Sequence, residues 1–325
     1  MDYTQFGTAG VKVSRLALGM GLRGQTDEGV AQRLVEYALD QGVNVIDCAN
    51  IYGPMDDRAN IGRSEMIVGR AIKGKRDHVV ITSKVASAVG RDPNDYGLSR
   101  YHIMREIDGT LQRLQTDHVD VYLVHRYDDS TPLAETVRAL DDVVRSGKAR
   151  YVGCCNYTAW QVCRALWVAD AHDAYPYITV QNPYSLLDRH LEDEMFGLVR
   201  DQGLGVMAYS PLAVGLLSGV YQPGQPPPAG SLWAGRPRER FEQMMQGHVG
   251  EVIRVVQQHA AELGKTPAQL AIAWILSHPE VTCAISGADT IEQFTDVLGG
   301  IGWELPSAVR QNLDDVSKTV RTAIT

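Results

Sequence analysis

Several features that mark other protein classes are missing from this chain of 325 residues. No apolar run approaches the roughly 20 residues that a membrane-spanning helix needs, and the first residues lack the charged-then-apolar order of a signal peptide. Basic residues form no runs and the formal net charge is −8, so we expect neither a nucleic-acid nor a membrane partner. These absences predict a cytoplasmic protein whose acidic balance serves solubility.

Signatures of a disulfide framework or a metal site are missing as well. The five cysteines contain no C-x-x-C pair, and the nine histidines contain no H-x-H or H-E-x-x-H. We therefore expect no metal and disfavour a metal-dependent hydrolase or isomerase. Reduced, mostly buried thiols are expected at Cys48, Cys154, Cys155, Cys163 and Cys283.

What the chain does contain is a regular alternation of strands and helices. Helix-period segments occur, for example, at 28–42, 101–115, 132–147 and 193–203, and three of these four end at a glycine. Alternation of this kind predicts a parallel sheet. Short runs rich in Val, Ile, Tyr and Leu predict eight strands, at about 15–18, 43–46, 79–83, 119–124, 150–153, 177–180, 204–208 and 281–285.

The last third of the chain departs from this alternation. Residues 221–241 are rich in Pro and Gly and have no apolar period, which predicts a long functional loop. Two helices are predicted after it, at roughly 248–263 and 267–278, and the second opens with a capping box at Thr266. The tail after Pro306 predicts a peripheral helix.

Eight strand–helix units predict an α/β protein, a single domain over residues 1–325 that forms a closed (β/α)8 TIM barrel with two extra helices and a long loop on its C-terminal side. The alternative is an open, doubly wound sheet with a G-x-G-x-x-G after its first strand. Gly19, Gly21 and Gly24 match that spacing, but a lone match is weak evidence. Asp47, the acidic residue such a sheet would need, has another explanation, so we favour the barrel.

That explanation comes from the ends of three successive strands. The second strand ends at Asp47, with Tyr52 just beyond it, the third ends at Lys84 and the fourth at His125. Each side chain alone has an ordinary structural explanation, but in a barrel all four would share one rim. Asp47 can pair with Lys84, and the ammonium would then hold the pKa of the Tyr52 phenol below its usual value of about 10. Such a phenol would suit proton transfer near neutral pH.

Two stretches carry a resemblance to a known family. "DCANIYG" (47–53) and "GRSEMIVGRAI" (62–72) are similar to the D-x-A-x-x-Y-G and G-x-S-E-x-x-x-G motifs of the aldo-keto reductases. "TSK", "VDVYLVHR" and "VGCCNY" follow in the order of that family. The resemblance extends from about residue 3 to about residue 305, and the branch it indicates is the bacterial one related to the β-subunits of potassium channels.

The resemblance implies an NAD(P)(H)-dependent oxidoreductase, an aldo-keto reductase or alcohol (sugar) dehydrogenase. It would transfer a hydride between the nicotinamide and an aldehyde or ketone, or the corresponding alcohol. Tyr52 would be the general acid/base, and Lys84 and Asp47 would adjust its pKa. His125 would orient the carbonyl. The alternative is a cofactor-binding regulatory or redox-sensing subunit with slow turnover. The oligomeric state stays open.

The resemblance also implies a set of cofactor contacts. Asn156 and Gln181 would bind the nicotinamide carboxamide and Tyr209 would stack on its ring. The pyrophosphate would lie against Ser210 and Leu212, and the segment 286–293 would surround the adenosine. The full set comprises Cys155, Asn156, Gln181, Tyr209, Ser210, Leu212, Ser286, Gly287, Asp289 and Gln293.

Three positions depart from the family pattern. Cys155 stands where the family usually has Ser, and Val297 where relatives often have an Asn at the adenine. Asp289 occupies a position where many relatives carry Arg, Lys, Ser or Thr beside a 2′-phosphate. NADP(H) is the more frequent cofactor in the family, whereas a carboxylate repels the 2′-phosphate and favours NAD(H). The sequence is therefore compatible with either cofactor.

The link between the tyrosine and the G-x-S-E motif, residues 53–62, is longer and more polar than is usual in the family. Loops on this rim decide specificity in barrels. With Arg126, Tyr127, Asp128 and the 221–241 loop, the insert would offer hydroxyl and charge partners. We expect a small-molecule substrate with a sugar-like or otherwise polar carbonyl, the alternative being that the insert is simply solvated surface.

Overall fold

Eight parallel strands close into a barrel in the computed structural model, which describes residues 1–320 and all their side chains except that of Asp56. Two short antiparallel strands, β1 (Tyr3–Gln5) and β2 (Lys12–Ser14), precede the barrel. The barrel strands are β3 (Leu16–Gly19), β4 (Val45–Asp47), β5 (Val80–Val85), β6 (Val119–Val124), β7 (Ala149–Cys155), β8 (Tyr177–Pro183), β9 (Gly205–Tyr209) and β10 (Val281–Ser286).

Helices surround the barrel strands. They are α1 (Glu28–Asp40), α2 (Arg63–Ala71), α3 (Arg100–Leu114), α4 (Leu133–Arg145), α5 (Ala159–Ala171), α6 (Met195–Gln202), α7 (Arg238–Gln246), α8 (His248–Glu262), α9 (Pro267–Leu276), α10 (Ile291–Leu298) and α11 (Ser307–Ser317). Helix α4 shows how they pack, because Val137, Leu140 and Val143 recur at helical spacing and are buried toward the sheet.

The strand order confirms the predicted barrel. Consecutive strands β3 to β9 are neighbours, and β10 pairs with both β9 and β3, so the sheet closes. The open, doubly wound alternative is therefore wrong. All eight predicted barrel strands are present, with bounds that differ by at most a few residues. The capping box at Thr266 is also confirmed, since its hydroxyl accepts from the N–H of Gln269 at the start of α9.

Two features were not predicted from the sequence. Strands β1 and β2 have three residues each, too few to show an apolar period. Helix α7 begins at Arg238, inside the segment 221–241 that was predicted to be loop throughout. Its sequence, RERFEQMMQ, buries only Phe241 and Met245, so the apolar signal is weak.

The β1–β2 hairpin closes the N-terminal end of the barrel. A side chain at Gly7 would lie 2.6 Å from the backbone nitrogen of Gly205, which places the hairpin against the start of β9. Phe6 and Val13 are fully buried among residues from inside the barrel, such as Val121 and Met207. The hairpin therefore plugs the end of the barrel opposite the carboxyl ends of its strands.

Among residues 1–320, no helix is both long and apolar enough to cross a bilayer. The cysteines are free thiols, and four of them are buried while Cys163 is exposed.

Candidate active site

A buried ion pair lies where β4 and β5 end. The Lys84 ammonium donates to both carboxylate oxygens of Asp47 at 2.8 Å. Both side chains are buried, with 0% of Lys84 and 5% of Asp47 exposed to solvent. Strands β4 and β5 are neighbours, and Asp47 is paired in register with Thr82, two residues before Lys84. The partner predicted for Asp47 is confirmed.

Further hydrogen bonds satisfy both charges. Asp47 also accepts from the Thr82 hydroxyl at 2.5 Å and from the Gln181 amide at 2.8 Å. Lys84 gives a third bond to the carbonyl oxygen of Cys48 at 2.9 Å. Thr82 and Lys84 are two residues apart on β5 and therefore point to the same side of the sheet. A buried charge is costly unless it is paired and hydrogen-bonded, and here both conditions are met.

Tyr52 and His125 meet directly above this pair. The Tyr52 hydroxyl lies 3.1 Å from His125 Nε2, and the two rings are edge-on with centroids 5.5 Å apart. The Lys84 ammonium is 4.7 Å from the centre of the Tyr52 ring. The structure thus brings together all four residues that the sequence placed on one rim.

One expectation about Tyr52 is wrong. Burial raises the pKa of its phenol to about 12, and the nearby Lys84 charge only partly opposes this effect. Burial likewise lowers the pKa of His125 to about 3, with Lys84 and Arg126 adding to the shift. For Lys84, burial disfavours the ammonium, but the Asp47 carboxylate outweighs it and the pKa is raised. At neutral pH the site holds a protonated phenol, a neutral imidazole and an ammonium.

A second buried hydrogen-bond network, which sequence reasoning missed, joins β5 to the surrounding helices α2 and α3. Glu65 on α2 is fully buried, accepts from the Ser83 hydroxyl at 2.5 Å and pairs with Arg113 at 2.5 Å. Asn50, in the turn before Tyr52, donates to Glu106 at 3.0 Å. The G-x-S-E motif gave the only signal, since its Glu on a buried helix face required a partner.

The residues expected around the nicotinamide lie at the ends of β7, β8 and β9. Asn156 has a left-handed backbone (φ 59°), accepts from the Tyr209 hydroxyl and donates to the His125 carbonyl, both at 2.8 Å. Gln181 is buried, and its amide group contacts Asp47 and the Cys155 thiol, which donates to it at 3.6 Å. Cys155 therefore contacts Gln181 in the position where the family has Ser.

The segment after β9 has a backbone suited to an anion. Ser210, Ala213 and Val214 all have positive φ, between 50° and 54°. Within residues 1–320, no hydrogen bond uses the N–H of Leu212 or Val214. Successive N–H groups in such a left-handed bend form anion-binding concavities, and this is the segment expected at the pyrophosphate.

The residues expected at the adenosine follow β10. Ser286 ends that strand, and the space where a side chain of Gly287 would lie is open. Asp289 accepts from the N–H of Gly24 at 3.2 Å, and its own N–H donates to Gln293 at 2.9 Å. Burial raises the pKa of Asp289, partly offset by the Gly24 N–H. Val297, at the position where relatives often have an Asn, is buried in the core.

Two rim segments are held against the site. The 53–62 insert folds into two short turns, and the N–H of Met55 donates to the carbonyl of Leu22 at 2.8 Å. In the 221–241 segment, Trp233 is buried and its indole donates to the carbonyl of Val214 at 3.0 Å. Trp233 thus fixes the long loop to the segment after β9, a contact for which composition gave no signal.

Within the described part of the chain, no three His, Cys, Asp or Glu residues are arranged to hold a metal ion.

Comparison with known proteins agrees with this geometry. An uncharacterized oxidoreductase of Bacillus subtilis (strain 168), YrpG, is 37% identical over 325 residues, covering 97% of this chain and 96% of the relative. Probable voltage-gated potassium channel subunits beta of Oryza sativa subsp. japonica and Arabidopsis thaliana are each 36% identical over 332 residues, covering 99% of this chain and 97% of each relative. The aldo/keto reductase family model matches residues 7–318. The chain therefore belongs to the aldo/keto reductase family of oxidoreductases.

Proposed function

We propose that the protein catalyses NAD(P)(H)-dependent reduction of an aldehyde or ketone and the reverse oxidation of the alcohol, with Tyr52 as general acid/base. The observation that carries this proposal is the contact between the Tyr52 hydroxyl and His125 Nε2 at 3.1 Å, above the buried Lys84–Asp47 pair. A protonated phenol, a neutral imidazole and a fixed positive charge are what donation of a proton to a carbonyl oxygen requires.

Each of the four residues has a distinct role in this proposal. In the reductive direction Tyr52 donates its proton to the carbonyl oxygen, a contribution of about 10²–10⁴-fold for general acid catalysis. The Lys84 charge stabilises the phenolate that forms, and Asp47 keeps that ammonium charged inside the barrel. His125 orients the carbonyl through a proton on Nε2, which leaves the phenolic hydrogen free for the substrate. In the oxidative direction the same phenol accepts the proton.

The dinucleotide supplies the hydride when bound, and the chain offers a fitting site for it. The unused N–H groups of Leu212 and Val214 suit a pyrophosphate, and Asn156 and Tyr209 lie between that segment and the tetrad. The choice of nucleotide rests on Asp289. Family frequency favours NADP(H), whereas a carboxylate at the 2′ position favours NAD(H), so we propose that NAD(H) is also used.

Replacing Tyr52 by Phe tests the assigned acid. We expect turnover to fall at least about 10²-fold, while the dissociation constant of the reduced cofactor stays within about twofold of the wild type. Tyr3→Phe is the matched control, because it removes a phenol at the opposite end of the barrel. Wild-type turnover in the Tyr52→Phe protein would refute the role of Tyr52.

Titration with NADPH and NADH tests the role of Asp289. We expect Asp289→Ser to tighten NADPH binding and to leave NADH binding little changed, because the substitution removes a repulsive charge. NADPH binding to the wild type at least tenfold tighter than NADH, about 1.4 kcal/mol, would show that Asp289 does not exclude the 2′-phosphate.

We further propose a polar substrate, such as a sugar in its open or lactol form. The polar insert 53–62 and the charged residues after β6 support this class, because they lie next to Tyr52 and His125 in the chain. Initial rates with aldoses, aromatic aldehydes and steroid ketones separate the classes. A clear preference for the apolar compounds would remove this part of the proposal.

A regulatory subunit is the second candidate, and the plant relatives named as potassium channel subunits beta favour it. A subunit that reports redox state would bind the cofactor tightly and turn over very slowly. Stopped-flow measurement of hydride transfer to an accepted aldehyde distinguishes the two, because an enzyme completes the step within its turnover time.

The cytoplasmic location and the single domain over residues 1–325 stay predictions.

A further inference from the structure

Two arginines that the proposed tetrad does not use lie on the same rim. Arg126 follows His125 directly, and its Nη2 donates to the Ser87 hydroxyl at 2.8 Å. Arg58 belongs to the 53–62 insert, and its Nη2 donates to the carbonyl of Ala88 at 2.9 Å. Ser87 and Ala88 are consecutive, so both guanidinium groups are held over one short segment just after β5.

Both arginines are close in the chain to residues of the proposed tetrad. The insert that carries Arg58 begins one residue after Tyr52, and Arg126 is bonded in sequence to His125. The strands β4, β5 and β6 that precede these loops are neighbours in the barrel. The charge of Arg126 is also felt at His125, where it helps to lower the pKa of the imidazole after burial and Lys84.

Both positive charges have unused hydrogen-bonding capacity. Each guanidinium has five N–H donors, and each uses one of them on the contacts above. Among the described side chains, neither forms an ion pair with a carboxylate.

Two carboxylates in the same loops have other partners. Asp128 accepts from the N–H of Leu98 and from the hydroxyls of Ser130 and Thr131. Asp57 accepts from the N–H of Ala59. Both arginines are exposed to solvent, so a ligand from solution can reach them.

We propose that Arg126, assisted by Arg58, binds an anionic group of the substrate, a carboxylate or a phosphate, while the carbonyl lies at Tyr52 and His125. This inference rests on the proposed oxidoreductase function and narrows its polar substrate to an anionic aldehyde or ketone. Planar guanidinium groups match both anions through paired N–H donors. Because Arg126 follows His125 directly in the chain, the first substrates to test carry the anion a few bonds from the carbonyl carbon.

Matched pairs of substrates test this inference. One pair is glyceraldehyde 3-phosphate against glyceraldehyde, and the other is succinic semialdehyde against butanal. We expect the wild type to prefer the charged member of at least one pair in kcat/KM, and the pair that shows the preference distinguishes phosphate from carboxylate. Arg126→Gln should lower kcat/KM for the charged member by roughly 10- to 100-fold through KM, and should leave the neutral member within about twofold.

Three further variants separate charge from structure. Arg126→Lys keeps the charge and should restore part of the preference, whereas Arg58→Gln should cause a smaller loss than Arg126→Gln. Arg150→Gln is the control for net charge, because Arg150 is exposed at the start of β7, at the opposite end of the barrel. An equal loss with charged and neutral substrates in Arg126→Gln, or no preference in the wild type, would overturn the inference.

A binding measurement keeps this test independent of turnover. If the wild type reduces none of these compounds, calorimetric titration with inorganic phosphate and with malonate decides the anion site, while the wider substrate panel tests the oxidoreductase function separately. Binding that is lost in Arg126→Gln and kept in Arg150→Gln supports the site. Absence of binding to the wild type, or equal binding to both variants, overturns it.

Discussion

At the scale of single residues, the main determinant of the chemistry is how far Tyr52 and His125 are buried. Burial favours the neutral form of both groups, which raises the pKa of Tyr52 to about 12 and lowers that of His125 to about 3. Lys84 opposes the first shift without reversing it. In the proposed reaction Tyr52 can therefore donate a proton across the whole neutral range, whereas accepting one requires alkaline pH.

These pKa values predict different pH profiles for the two directions. The reductive kcat/KM should be nearly flat between roughly pH 5 and pH 10, because the phenol stays protonated and the imidazole neutral. The oxidative kcat/KM needs the phenolate and should rise by about tenfold per pH unit toward the pKa of Tyr52. Initial rates in both directions over this range check the prediction. A plateau of the oxidative profile below pH 8 would mean that the phenol has a pKa lower than 10.

The buried carboxylate of Glu65 gives a second prediction at this scale. Glu65→Ala leaves the Ser83 hydroxyl without its partner and leaves Arg113 with only a longer ion pair, to Glu106 at 3.9 Å. It should lower the free energy of unfolding by about 3 kcal/mol, since Arg113 keeps some contact with water. Glu242→Ala removes the acid of an exposed pair with Arg238 and should cost less than about 1 kcal/mol. Urea unfolding of the two variants compares them, and similar losses would show that the buried pair contributes little.

At the scale of elements, the close approach of neighbouring strands fixes where the rim residues stand. On β7, a side chain at Gly153 would lie 2.6 Å from the carbonyl oxygen of Thr179 and 2.8 Å from the Leu123 side chain. Strands β6 and β8 therefore pack directly against this point of β7. The ends of these three strands carry His125, Asn156 and Gln181, so their spacing sets the geometry of the site.

Adding one methyl group at this point tests the strand packing. Gly153→Ala should destabilise the fold by about 1–3 kcal/mol through overpacking. Gly197→Ala is the matched control, because Gly197 lies on the exposed side of α6 with no atom within 4 Å of the added carbon. It should be neutral or stabilising by up to about 1 kcal/mol. Thermal unfolding distinguishes the two, and equal melting temperatures would contradict the packing.

At the scale of the whole molecule, closure of the eight-stranded sheet leaves the barrel with no edge strand and with two ends. The β1–β2 hairpin fills one end with Phe6 and Val13, and the proposed chemistry lies at the other. The same residues that close the barrel at its base therefore stabilise the fold without touching the site. This division is what the barrel architecture allows, with stability at the N-terminal ends of the strands and function at the C-terminal ends.

If hairpin and barrel form one cooperative unit, truncating Phe6 should weaken the whole fold. Phe6→Ala removes a fully buried ring and should cost about 3–5 kcal/mol, with a single calorimetric transition moved to lower temperature. Trp167→Ala, at a side chain that is 74% exposed, should change stability by less than about 0.5 kcal/mol. A separate low-temperature transition in Phe6→Ala would show instead that the hairpin unfolds independently.

Much of this architecture could be predicted from the chain because it depends on local pattern. Eight apolar runs alternating with helix-period segments predict a parallel sheet. The residues at the strand ends favoured a closed barrel over an open sheet, and the strand order β3 to β10 confirms it. Strand ends in such a barrel share one rim, so Asp47, Lys84 and His125 could be placed together before any contact was known. The three-residue strands β1 and β2 were missed because so short a segment has no measurable period.

The sequence by itself determined the barrel, its family and the four residues that meet on its rim, because periodicity and motif spacing are properties of the chain. Only the tertiary structure decided the pKa of Tyr52, since burial is produced by many distant residues and no short stretch encodes it. The same holds for the approach of Arg58 and Arg126 to Ser87 and Ala88. Loops have no regular period, so their path over the rim is fixed by packing and hydrogen bonds that exist only in the folded barrel.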